Sequence, residues 1–127
     1  WKQVSGYSVA GLAALSVLIS LRKRTRLLNW INFSWMQLVH ILLATASLAG
    51  LLLHTGSNPG HNLNFLLFVV FVVACATGAA TGILTGIEQQ LPVSWRSTRR
   101  LATWLHVLCL WPLPVLLTFH LVAVYVL

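Results

Sequence analysis

The sequence predicts an all-α integral membrane protein, a four-helix bundle running up-down-up-down, and three observations carry that prediction. Of the 127 residues 58% are hydrophobic and only 7% are charged, and a mean hydropathy of +0.86 is too apolar for a water-soluble domain of this size. The apolar residues gather into four stretches, each long enough to cross a bilayer as a helix. The charged residues lie almost entirely between those stretches.

The first stretch, 4–21, stops at Arg22, Lys23, Arg24 and Arg26 and is just long enough to span. Its charges follow the apolar run instead of preceding it, the reverse of a secretory signal peptide. The second span is predicted over 33–54, ending at the breaker-rich run Thr55-Gly56-Ser57-Asn58-Pro59-Gly60. The third covers 63–86 and leads into a polar connection with Glu88, Gln89, Gln90, Pro92, Arg96, Arg99 and Arg100. The fourth covers 101–127, and within it Pro112 and Pro114 each remove a backbone donor and should bend or loosen the helix. One domain, 1–127, accounts for all four spans and leaves no room for a soluble catalytic domain.

Seven of the eight Lys and Arg residues fall in the first-to-second and third-to-fourth connections, and only Lys2 falls on the other side. The positive-inside rule therefore places both connections in the cytoplasm and both termini outside, as in a bacterial inner membrane. The same rule accounts for the basic surplus, which flanks hydrophobic spans and is too small for a nucleic-acid surface. Cys75 and Cys109 lie in mid-span, in neither a C-x-x-C nor a C-x-x-C-H motif, which argues against covalent c-type haem and thiol redox chemistry. They read as small buried hydrophobes.

Four of the five histidines form a pattern. His40 and His54 are fourteen residues apart in the second span, and His106 and His120 are fourteen apart in the fourth. Fourteen residues are close to four helical turns, so each pair leaves one helix face about 21 Å apart along the axis. The second and fourth spans run in the same direction, which puts His40 and His106 in the cytoplasmic half and His54 and His120 in the outer half. Each depth then has one imidazole from each helix, the donor set for bis-histidine ligation of haem iron, with no coordination position open to oxygen. A single intramembrane histidine serves equally well as a packing group bonded to a neighbouring helix; two matched pairs favour the ligand reading.

The surroundings fit bulky planar groups. Ala44 and Ser47 keep the helix face low between His40 and His54, and Ala74, Gly78, Gly82 and Gly86 form a small-x-x-x-small ridge that admits a haem edge or a helix. Candidate propionate cations on the cytoplasmic side are Arg99 and Arg100, one or two turns ahead of His106, with Arg96 and Arg26 nearby. The outer side has no arginine, and its candidates are His61, Asn58, Asn62, Ser57, Thr55 and Lys2. Trp30, Trp35, Trp95 and Trp104 mark the cytoplasmic interface and Trp1 the outer one, whereas Trp111 is deep. Glu88, the one acidic residue, is either a solvated group or a proton acceptor at a quinone site.

Two His-x13-His helices separated by one helix resemble the haem-binding core of the cytochrome b superfamily, as in quinol-oxidising cytochrome bc complexes and the membrane domains of ferric reductases and NADPH oxidases. The resemblance covers 33–127. It implies that His40 and His106 ligate one haem b, that His54 and His120 ligate the other, and that electrons cross the membrane between them. The fourth span departs from the bc pattern in carrying Trp111-Pro112-Leu113-Pro114, and the Pro-Glu-Trp-Tyr segment of the bc outer quinol site is absent. The reading is an electron-transfer subunit of a larger oxidoreductase assembly of the respiratory-chain kind, exchanging electrons with quinone or with flavin, iron–sulfur or c-type cytochrome subunits. Two rivals use the same residues: a quinone-reactive membrane subunit, and a haem-free anchor or proton-pathway subunit.

Overall fold

The apolar stretches form helices in a computed structural model that describes residues 1–25, 32–56, 58, 60–87, 92 and 95–126. The elements are α1 (Lys2–Thr25), α2 (Phe33–Thr55), α3 (Leu63–Gly86), α4 (Trp95–Leu110) and α5 (Pro112–Tyr125). No strand occurs among the described residues. Among the described residues four spans are long and apolar enough to cross a membrane: Gln3–Leu21, Ser34–Thr55, Leu63–Gly86 and Trp95–Val124. The fold class is therefore the all-α, four-span one expected.

Helix ends follow from local chemistry. Asn32 caps α2 by accepting a hydrogen bond from the Ser34 N–H at 3.2 Å. At the other end Gly56 takes the left-handed conformation (φ 58°, ψ 38°) and donates its N–H to Leu52 O. α3 covers the expected 63–86. α1 continues past the expected stop at Leu21 to Thr25, since Arg and Lys are good helix formers and cations suit a helix C-terminus.

The fourth span differs from expectation in two ways. It begins at Trp95 instead of 101, because the connection's last residues, with three arginines, have no breaker among them and join the helix. It also divides at Trp111. With no N–H on Pro112, the ladder tightens there, and Trp111 N–H donates to Leu108 O at 3.3 Å, a three-residue step. Pro112 and Pro114 then fall in the first turn of α5, where backbone donors have no intrahelical partner to lose. Trp111 itself keeps helical dihedrals (φ −60°, ψ −45°), so the interruption lies in the hydrogen-bond ladder.

The chain forms two compact units, Trp1–Asn58 and Pro59–Leu127. In the first, α1 packs antiparallel on α2; in the second, α3 packs on α4 and α5. Hydroxyl groups in the spans donate to carbonyls one turn back on their own helix: Thr45 to Ile41, Ser47 to Leu43, Thr81 to Thr77 and Thr85 to Thr81, all at 2.8–2.9 Å. That satisfies each hydroxyl without water, as hydrocarbon requires. Among the described residues no buried side-chain nitrogen or oxygen lacks a hydrogen-bond partner.

Close approach in the first unit depends on Gly50. A Cβ at that position would lie 2.9 Å from Val9 Cγ2, inside van der Waals contact. Gly50→Ala is expected to destabilise the α1–α2 hairpin by about 1–3 kcal/mol, the usual cost of overpacking, and Val9→Ala in the same chain is expected to restore most of it. Thermal unfolding in detergent of the single and double variants checks this.

Candidate functional site

The two units treat their histidines alike. In the first, His40 and His54 lie on the face of α2 that meets α1. His40 Nδ1 is 3.1 Å from Ser16 O and 2.9 Å from Ser16 Oγ. His54 Nδ1 is 2.9 Å from Ser5 Oγ. Ser5 and Ser16 are eleven residues apart, close to three turns, so they share one stripe of α1 and meet the histidines in antiparallel order. Between the histidines Ser47 is 1% exposed. It lies on the α1-facing stripe, so the low profile expected at Ala44 and Ser47 serves helix packing in this unit.

In the second unit His106 Nδ1 is 2.8 Å from Ala74 O, and His120 Nδ1 is 2.8 Å from Asn64 Oδ1. Both partners are on α3. All four paired histidines are thus half-buried at a helix seam, each with Nδ1 held by the preceding helix of its own unit.

One of these contacts selects a protonation state. A main-chain carbonyl only accepts, so Ala74 O requires that His106 carry the proton on Nδ1, whereas His40 Nδ1 faces both Ser16 O and the nearer Ser16 Oγ, a hydroxyl that donates or accepts. In neutral His106 the lone pair is then on Nε2, the state in which imidazole binds a metal, and a carbonyl on the other nitrogen is the usual outer partner of such a ligand.

Glycines make room for two of the rings. A Cβ on Gly78 would meet His106 Cε1 at 2.8 Å and Nδ1 at 3.1 Å, and one on Gly6 would meet His54 Cε1 at 3.2 Å. Of the ridge on α3, Ala74 is buried and bonded to His106 and Gly78 cradles the same ring, whereas a Cβ on Gly82 or Gly86 would meet nothing within 4 Å.

Arg99 and Arg100 both lie in α4 with His106. Arg99 precedes His106 by seven residues, so it is on the same helix stripe, roughly 10 Å nearer the helix start. It is half-buried, while Arg100 is on another stripe and exposed. His61 is exposed in the bend ahead of α3. Cys75 and Cys109 are free thiols. No three His, Cys, Asp or Glu side chains converge among the described residues. Arg26, Trp30, Ser57, Glu88, Gln89 and Gln90 lie outside the described residues.

The spacing of the histidines was legible in the sequence, but their partners were not. Ser5, Ser16, Asn64 and Gly6 have no motif of their own. The eleven-residue interval between Ser5 and Ser16 was the available signal, since two hydroxyls three turns apart mark a polar stripe on an apolar helix. Ala74 contributes only its carbonyl, which no side chain announces. No family model, curated protein or solved structure matches this chain.

Proposed function

We propose that this protein is a transmembrane electron-transfer subunit that holds two haem b groups, one between His40 and His106 and one between His54 and His120. The observation that carries the reading is the Nδ1 contact made by every one of the four histidines to the preceding helix of its unit. Such contacts hold ring orientation and engage Nδ1, the nitrogen that the outer partner of a metal-binding imidazole takes. The pairing across helices rests on the equal fourteen-residue intervals. A bis-imidazole haem supplies one-electron transfer between ferric and ferrous iron with no open coordination position.

The chain's own residues do the holding. Ser16 and Ala74 orient the inner ligands, and Ser5 and Asn64 orient the outer ones. Arg99, on the stripe of His106, is the best-placed cation for the inner propionates, with Arg100 second. His61, Asn58 and Asn62 are the polar groups available to the outer propionates. The seven cations between the first and second and between the third and fourth apolar stretches support a cytoplasmic location for that side in a bacterial inner membrane, with both termini outside. Ligands about 21 Å apart along each span would set two haems in opposite leaflets, a spacing suited to a relay. Electrons enter and leave through quinone or through flavin, iron–sulfur or c-type cytochrome subunits.

The test is a reduced-minus-oxidised spectrum with pyridine-haemochrome quantitation on detergent-purified protein. Two b haems per chain are expected, falling to about one in His54→Ala. A colourless protein would sink the proposal and leave the four histidines as packing groups.

A further inference from the structure

The two ends of the helices differ in whether a main-chain carbonyl stands among the Nδ1 partners described for the histidines. His106 Nδ1 meets the main-chain carbonyl Ala74 O, and His40 Nδ1 meets both the carbonyl Ser16 O at 3.1 Å and the hydroxyl Ser16 Oγ at 2.9 Å. Nδ1 of His54 and of His120 instead meets a side chain, Ser5 Oγ and Asn64 Oδ1. The division follows position along the helices in both units. Ser5 and Asn64 are near the starts of α1 and α3, whereas Ser16 and Ala74 are in their interiors.

Acceptor strength matters to a ligating imidazole. The more strongly the Nδ1–H is drawn away, the more electron density Nε2 donates, and the better the oxidised metal is stabilised. Backbone carbonyls are strong acceptors that substitution at their own residue does not remove. A serine hydroxyl is a weaker acceptor, and an amide side chain can be replaced by either a non-acceptor or a carboxylate. At His54 and His120 the side chains Ser5 and Asn64 are therefore contacts that substitution can change, as Ser16 Oγ is at His40.

Resting on the dihaem reading above, we infer that Ser5 and Asn64 are positioning residues that set the reduction potential of the haem shared by His54 and His120, independently of the haem shared by His40 and His106. With Nε2 on iron, Nδ1 carries the proton, Ser5 Oγ accepts from His54, and Asn64 Oδ1 accepts from His120. Neither residue touches the iron, and each acts through the imidazole it holds.

The substitutions have opposite signs. Asn64→Leu removes the acceptor, lowers the basicity of His120, and makes the outer haem easier to reduce. Asn64→Asp puts a carboxylate in its place, pulls the Nδ1 proton harder, and makes it harder to reduce. Asn64 is the second residue of α3 and is exposed, so an acidic group there is compatible with the helix and favoured by its dipole. Ser5→Ala acts in the direction of Asn64→Leu through His54, and more weakly because a hydroxyl is the lesser acceptor.

The experiment is a potentiometric titration, followed at the α band, of the purified full chain and of Asn64→Leu, Asn64→Asp and Ser5→Ala. His54→Ala identifies the inner component, since only that haem remains. About a tenfold shift in the outer haem's reduction equilibrium is expected for each Asn64 variant, in opposite directions, or ~59 mV for a one-electron couple. The inner component is expected to stay where it is. Two haems whose potentials are unmoved, or that move together, or in the same direction for Leu and Asp, would overturn the inference and leave the dihaem reading intact. Absence of haem from the parent chain would overturn both. Should Asn64→Leu fail to assemble, Asn64→Asp and Ser5→Ala decide alone.

Discussion

On the proposed dihaem reading, replacement of His40, of His106, or of both together by alanine is expected to leave one b haem per chain in all three cases. Replacing His40 and His54 together is expected to leave none. Two imidazoles that share an iron form one functional unit, so once either is lost the second replacement removes nothing further. His40 and His54 are about 21 Å apart on one helix, too far to share an iron, so their losses add. Haem per chain after gel filtration, by pyridine haemochrome, separates the pairings. A different partition, such as two haems lost from the His40–His106 double variant, would show that these two histidines serve different irons. The low-spin spectrum of the retained haem is a second check, since it belongs to a centre with both imidazoles in place.

On the dihaem proposal, Gly78→Ala is expected to remove or distort haem binding at His106, while Gly82→Ala, one turn along the same ridge, leaves the haem content unchanged. The new methyl at 78 would lie 3.1 Å from His106 Nδ1, a tight contact, and 2.8 Å from Cε1, closer than a Cβ comes to a neighbour without something shifting. Either the ring rotates or α3 and α4 separate, and both movements stretch the 2.8 Å contact from His106 Nδ1 to Ala74 O. Leaving that half-buried N–H without its acceptor costs about 1–3 kcal/mol, before any loss of ligand alignment. A Cβ on Gly82 meets nothing within 4 Å. The spectrum reads both variants, and equal effects at 78 and 82 would show that the ridge acts through general helix packing. Gly6→Ala, at 3.2 Å from His54 Cε1, is the milder counterpart in the first unit.

The third span's apolar run gives no hint of which small residue touches a ring. Ala74, Gly78, Gly82 and Gly86 are equivalent in periodicity, yet only the first two meet His106. Periodicity places residues on a face; the partner helix selects the turns of that face that carry contact. The prolines of the fourth span show the converse. A disturbance at Pro112 and Pro114 was legible because a missing donor is a property of the residue itself. Its form was set by neighbours in the ladder, with Trp111 reaching back to Leu108 and both prolines absorbed into the first turn of α5.

Length, hydropathy and the distribution of charge were enough to determine an all-α chain with four membrane-spanning segments, because the bilayer imposes span length and internally satisfied backbones on any such sequence. The fourteen-residue interval determined that His40 and His54 share one helix face, because helical period depends on the backbone alone; that His106 on α4 and His120 on α5 both face α3 across the break at Trp111 was decided by the structure. What only the tertiary structure decided was the company each imidazole keeps. Ser5, Ser16, Asn64, Ala74, Gly6 and Gly78 lie on the preceding helix of each unit, between 24 and 56 residues away in sequence. A hydrogen-bond partner at that distance is chosen by the register of two packed helices. That register depends on which side chains interlock along the seam, and no local pattern in either helix states it.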